Sequence, residues 1–174
     1  MLFNPFKKSY SEEDKKTFRF LQKNVFFKYL TEDELAEFLP YLYLRNFEKG
    51  EAIFFRGDPS QAFYIVYKGI VVLNIDIEDK FEELTHLRAG EAFGDNALLT
   101  NRYRIYTAIC FSDTCELYAI PSTNIYEIFK ENLAIKAKMM EAMAEYYDRY
   151  MTGLFRAYQT SFGFFDLGMA FARK

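Results

Sequence analysis

The stretch FGDNALLTNRYRIYTA, Phe93 to Ala108, sets an acid and an amide directly after a glycine within an apolar run, and adds Arg104 before further apolar residues. Charged side chains in such surroundings need matching. Either Arg104 pairs with Asp95 and merely neutralises a buried acid, or both groups stand ready for a ligand. The chain offers little for catalysis elsewhere. His86 is the single histidine, and its place beside Thr85 on a strand turns the two to opposite faces. One histidine and two cysteines make no zinc set, and no G-x-S-x-G or phosphate-loop pattern occurs. The acid-rich runs SEEDK, TEDE and IEDKFEE read as solvated surface. The expectation is that the chain is not an enzyme and carries no metal.

The elements that must position Asp95 and Arg104 show in the periodicity. In SYSEEDKKTFRFLQK, Ser11 precedes acids, and Phe18 and Leu21 recur at helical spacing, which predicts a short amphipathic helix. Thr31 and Glu34 make a capping box for a second helix, with Leu35, Phe38 and Leu39 as its apolar face and Pro40 near its end. From Leu42 the period changes. LYLRNF, AIFF, AFYIVY, IVVLNID, FEELTHL, YRIYTAIC and CELYAI are short β-branched and aromatic runs separated by turn chemistry such as EKGE, RGDPS and RAGE. Such even spacing predicts a small barrel or sandwich. After Pro121 the helical pattern returns for about 35 residues, with breaks expected near Asn132 and Gly153.

Composition excludes whole classes of partner. A net charge of −3 and a pI near 5.4 argue against a nucleic-acid surface, which needs clustered Lys and Arg, and leave room only for local basic patches. No stretch approaches the roughly 18 apolar residues of a membrane span, so the expected compartment is the cytoplasm. Cys110 and Cys115 lie five apart and are expected to be packed, free thiols. Aromatic residues make up 20% of the chain, as 20 Phe and 14 Tyr without tryptophan. That is more apolar area than a small core needs, and it points to an interface.

The runs EKGEAIFFRGDPSQAFYIVYKGIVVL, LRAGEAFGDNALL and RIYTA together resemble the cyclic-nucleotide-binding domain family, over roughly residues 24 to 150. Gly50, Gly57, Gly69, Gly90 and Gly94 fall where that family turns its roll. The resemblance implies an α+β fold: a small double-stranded β-roll, or jelly-roll-like barrel, flanked by N-terminal helices and a long C-terminal helix. The expected divisions are N-terminal helices over 1–41, the roll over 42–121, hinge and long helices over 122–158 and an aromatic tail over 159–174. The implied function is a stand-alone regulatory domain that binds cyclic AMP or cyclic GMP and signals through its last helix. A ligand-free roll serving as a dimerisation or protein-interaction module is the alternative.

In that family the loop at Gly94 is a phosphate-binding cassette. The resemblance implies that backbone N–H groups of Asn96, Ala97 and Leu98 face the cyclic phosphate, with Gly94 permitting close approach. Arg104 brings a fixed fork to the phosphate oxygens, and Ile105 stands where a small residue normally touches them. Asp95 holds the place of a glutamate that accepts the ribose hydroxyl. Val72, Thr85 and Leu87 fall at positions that line sugar and base, and Tyr146, Arg149 and Tyr150 lie where the last helix covers the purine. Four further places depart from the pattern: Asn96 for an apolar residue, Tyr103 for proline, Ile105 for a small residue, and Tyr106 for an alanine whose space a tyrosine fills.

The last helix repeats Leu133, Met140, Tyr147 and Leu154 every seven residues, with Met143, Tyr150 and Ala157 at the other seam position. A homodimer seam and a helix packed on its own roll are equally compatible with this, and the surplus aromatics favour the dimer. Activator-type relatives add a helix-turn-helix after this helix, and the short, weakly basic tail argues against DNA binding.

Overall fold

The computed structural model describes residues 9–77 and 80–162. Helix α1 (Glu12–Leu21) starts at Ser11, whose hydroxyl and the Asp14 carboxylate form a reciprocal capping box, and α2 (Glu32–Ala36) starts at the Thr31–Glu34 box. A 3₁₀ turn over Leu39–Tyr41 carries the chain past Pro40. The strands then follow: β1 (Tyr43–Glu48), β2 (Ala52–Phe54), β3 (Ala62–Lys68), β4 (Val71–Ile77), β5 (Lys80–Leu87), β6 (Ala92–Phe93), β7 (Thr107–Cys110) and β8 (Thr114–Pro121). They form two four-stranded antiparallel sheets, β1-β8-β3-β6 and β2-β7-β4-β5. Helices α3 (Ser122–Glu131) and α4 (Leu133–Phe162) complete the chain. This is the expected α+β roll with flanking helices.

Two apolar clusters hold it. One fills the space between the sheets, with Phe54, Val66, Val71, Leu73, Phe93 and Leu117 alternating inward from their strands. The other joins Phe18, Phe26, Phe27 and Phe38 to Phe63 and Ile65 of β3 and to Ile125, Phe129, Ile135 and Met139 of α3 and α4. Each fully buried Phe is worth about 1.5–3 kcal/mol, so the helices at both ends of the chain belong to one core with the roll. Cys110 and Cys115 are free and buried, with their sulfur atoms 2.8 Å apart. Burial, followed by the hydrogen bond to Cys115, raises the Cys110 thiol to about 12.

Three local expectations differ. The run from Tyr103 is not yet strand: the Arg104 N–H donates to the Asp58 carbonyl, and Gly57 N–H donates to the Arg104 carbonyl, so loop partners replace a ladder until Thr107. The break at Asn132 occurs, but Gly153 lies inside α4, which continues past Tyr158. The heptad also divides, since Met140 and Met143 pack on the chain's own core whereas Leu133 and Leu154 are exposed. Most of the expected aromatic tail, and the first eight residues, lie outside the described residues.

Candidate ligand-binding site

Gly94 opens the cassette in the left-handed conformation (φ 70°), and residues Asp95–Leu98 follow as a 3₁₀ turn. A Cβ at Gly94 would stand 2.4 Å from Nη1 of Arg104 and 3.2 Å from the Ala62 carbonyl, so only glycine lets the arginine lie against this backbone. Arg104 is 4% exposed. Its Nη1 donates to the Gly94 carbonyl at 3.1 Å and its Nη2 to the Ala62 carbonyl at 2.6 Å, while Nε is buried without a partner. The guanidinium lies 4.0 Å from the centroid of the Phe54 ring. Burial lowers its affinity for the proton, partly offset by the phenols of Tyr64 and Tyr106 and by Asp95.

Asp95 is 8% exposed and makes no ion pair with Arg104. Its Oδ2 instead accepts a very short hydrogen bond from the phenol of Tyr147 on α4. The neighbouring phenol of Tyr106 accepts the Gly94 N–H at 2.9 Å. Burial first, and the nearby Asp95 carboxylate second, push both phenols well above the ordinary tyrosine value. Within the turn, the Ala97 N–H donates to the Gly94 carbonyl, so one of the anticipated anion donors is already engaged.

Asp95, Thr85, Leu87 and Ile105 meet around a cavity of about 370 Å³, closed by Tyr106, Tyr146, Tyr147 and Tyr150. Asp95 is the one charged group among its described lining residues. An adjoining cavity of about 430 Å³ shares Leu87, Ala92, Tyr146 and Tyr150 and adds Lys23, Asn24 and Arg149. Asn24 fixes this corner: its Nδ2 donates to the Gly90 carbonyl at 2.8 Å and its Oδ1 accepts the Phe26 N–H.

Val72 lies outside the cavity, paired with His86 and Ile109, whereas its neighbours Leu73 and Ile75 line it by strand alternation. A bulge after Leu73 brings both Leu84 and Thr85 to the wall. His86 faces away, edge-on to Phe111. Gly94, Asn96, Ala97, Leu98 and Arg104 are not among the residues that line this cavity. Sequence reasoning missed Leu73, Ile75, Leu84 and above all Tyr147; the tyrosine pair at 146–147 was the available signal for the last.

The Cyclic nucleotide-binding domain family model matches residues 44–132, about half of the chain and all of the strands that build this cavity. The chain belongs to the cyclic nucleotide-binding domain family. It is 32% identical over 105 residues to the Global nitrogen regulator of a Nostoc species, covering 58% of this chain and 46% of that one. It is 33% identical over 107 residues to the cAMP-dependent protein kinase type II regulatory subunit of Drosophila melanogaster, covering 52% of this chain and 28% of that one. This cyclic nucleotide-binding domain thus spans less than half of either relative. The crystal structure of Thermus thermophilus Catabolite Activator Protein superposes with a TM-score of 0.66 at 27% identity, covering 77% of this chain and 62% of that one. As a cyclic nucleotide-binding domain the chain has a regulatory fold, and no helix among its described residues is long and apolar enough to cross a membrane.

Proposed function

We propose that this chain is a regulatory module that binds cyclic AMP or cyclic GMP and signals through α3 and α4. The observation that carries the reading is Asp95: one buried acid, seated directly after a left-handed glycine, on the wall of an otherwise apolar and aromatic cavity. A purine ribose suits such a cavity, with the ribose hydroxyl on Asp95, the base against Leu73, Thr85 and Leu87, and a tyrosine of α4 over its face. The phosphate falls to the cassette, where the buried Nε of Arg104 is still unsatisfied. The Drosophila relative, by its name a cAMP-dependent kinase subunit, supports the same ligand class.

The deciding experiment is the melting temperature with and without millimolar cyclic AMP or cyclic GMP, on the native chain and on Arg104→Ala. Ligand at 100 times its dissociation constant adds about 2.7 kcal/mol, a shift of several degrees. A rise in the native chain that disappears in the variant supports the proposal. No rise with either nucleotide favours the second reading, a ligand-free adaptor; that reading is favoured by Asp95, the Gly94 N–H and the Arg104 fork all holding partners within the chain.

We further propose that the module is a homodimer through α4. Leu133, Tyr150 and Leu154 are 70%, 57% and 47% exposed on one helix, a cost that a second copy removes. Its free thiols and acidic balance fit a cytoplasmic setting.

A further inference from the structure

We propose that Cys110 and Cys115 form an oxidative modification site, in which a peroxide reaching Cys115 from the groove beside β1 converts the pair into a disulfide that ties the two sheets together and that a thiol reductant reopens. The inference stands apart from whatever the cavity binds.

The two thiols belong to different sheets. Cys110 ends β7, in the sheet β2-β7-β4-β5, and Cys115 is the second residue of β8, in the sheet β1-β8-β3-β6. Both are buried, and their sulfur atoms lie 2.8 Å apart. A disulfide needs roughly 2.03–2.05 Å between sulfurs, so the pair closes through a shift of about 0.8 Å. The backbone that presents them is already held. The N–H groups of Phe111 and Ser112 both donate to the Ile70 carbonyl. The Ser112 hydroxyl accepts the Ile70 N–H and donates to the Thr114 carbonyl. Gly69 lies so close to this turn that a Cβ there would overlap the Thr114 carbonyl oxygen. The chain holds two cysteines, so one bond within it uses both.

The sulfurs are not equivalent. Cys115 lines a groove of about 550 Å³ beside β1, together with Leu44, Phe47 and the acids Glu48, Glu51 and Glu116. Those carboxylates disfavour an anionic oxidant and leave entry to a small uncharged one, which is the chemistry of hydrogen peroxide. Cys110 is not among the residues that line the groove. Its proton points at the Cys115 sulfur, and burial followed by that hydrogen bond raises its thiol to about 12, so it waits as the thiol. The Cys115 thiol donates to the Ile70 carbonyl at 3.0 Å.

The reaction balances with peroxide as the oxidant. Cys115 gives up its proton, and its sulfur attacks one peroxide oxygen; the O–O bond breaks, hydroxide leaves and takes a proton as water, and Cys115 becomes a sulfenic acid. The Cys110 sulfur then attacks the Cys115 sulfur. The S–O bond breaks, the hydroxyl departs with the Cys110 proton as a second water, and the S–S bond forms. Two thiols lose two electrons and one O–O bond gains them. The product joins β7 to β8 across the sandwich and restrains the unfolded chain, which raises Tm by several degrees.

The test treats the folded native chain with dilute hydrogen peroxide and follows it by intact mass, peptide mapping without reductant and thermal melting. The proposal expects a monomeric product lighter by two hydrogen atoms, a Cys110–Cys115 bond, a higher Tm, and return of mass and Tm on adding dithiothreitol. Thiols that stay free in the folded chain but react in urea overturn it, as do products linked between chains, sulfinic acid in place of the disulfide, or a bond that lowers Tm. Cys110→Ser removes the resolving thiol: a dione probe should then label Cys115 as sulfenic acid, and absence of that label overturns Cys115 as the point of attack.

Discussion

Arg104 is a cation held by carbonyls and rings, without an ion pair to Asp95. Its position depends on the missing side chain of Gly94, whose Cβ would overlap Nη1. Gly94→Ala therefore combines a strained left-handed backbone with expulsion of the guanidinium, at about 1–3 kcal/mol, and urea unfolding should record that loss. The two phenols give a pH signature. Tyr106 and Tyr147 titrate above their ordinary value of 10.0 when folded. The neutral phenol is thus favoured in the native state; its contribution is complete below pH 10, and declines as pH rises above that, where the unfolded chain releases the proton first. Denaturation series from pH 8 upward should show stability falling above about pH 10, with a shallower slope in the Tyr106→Phe, Tyr147→Phe double variant. At this scale Gly94, Asp95 and Arg104 were legible because glycine, acid and arginine are rare in an apolar run. Their partners were not, since nothing local reveals that Asp95 meets a phenol 52 residues away.

Elements were read best where capping or alternation dominates. Ser11 and Thr31 start their helices through the side-chain bonds their types predict, and Asn132 ends α3 while its Oδ1 caps Ala134 and Ile135 of α4. Failures came where tertiary partners overrode local preference. Tyr103–Tyr106 has strand composition, yet its backbone bonds go to the loop at Gly57–Ser60. Gly153 has the look of a terminator, yet a single glycine costs a helix only about 1 kcal/mol against alanine, too little to stop one of 30 residues. A Cβ there meets nothing within 4 Å. Gly153→Ala should accordingly slow amide exchange around 152–156 by the equivalent of about 0.5–1 kcal/mol, without moving the global unfolding midpoint appreciably. The cavity wall was misjudged by one residue, Val72 in place of Leu73, because a strand's two faces look alike when both are apolar.

For the whole molecule, the helices after the roll are structural before they are regulatory. Ile125, Phe129, Ile135 and Met139 complete the core begun by Phe18 and Phe63, so a chain cut after Ile120 should fail to fold cooperatively. A chain cut after Met151 keeps every residue of both apolar clusters. It should melt as one unit, but sediment as a monomer if Leu154 and the outer helix hold two copies together; sedimentation velocity on both lengths checks this. The clamps on α4 add mechanical leverage. Glu34 and the Lys28–Tyr29 pair hold the helix at Lys138 and Glu145, just ahead of Tyr147. From Tyr147 to Phe162 the rod extends about 22 Å at 1.5 Å per residue. A pivot of about 10° at the clamps swings its tip by roughly 4 Å over that length. A small pivot near Glu145 would thus be magnified into a displacement as large as a side chain at the far end of the rod, where another molecule can register it.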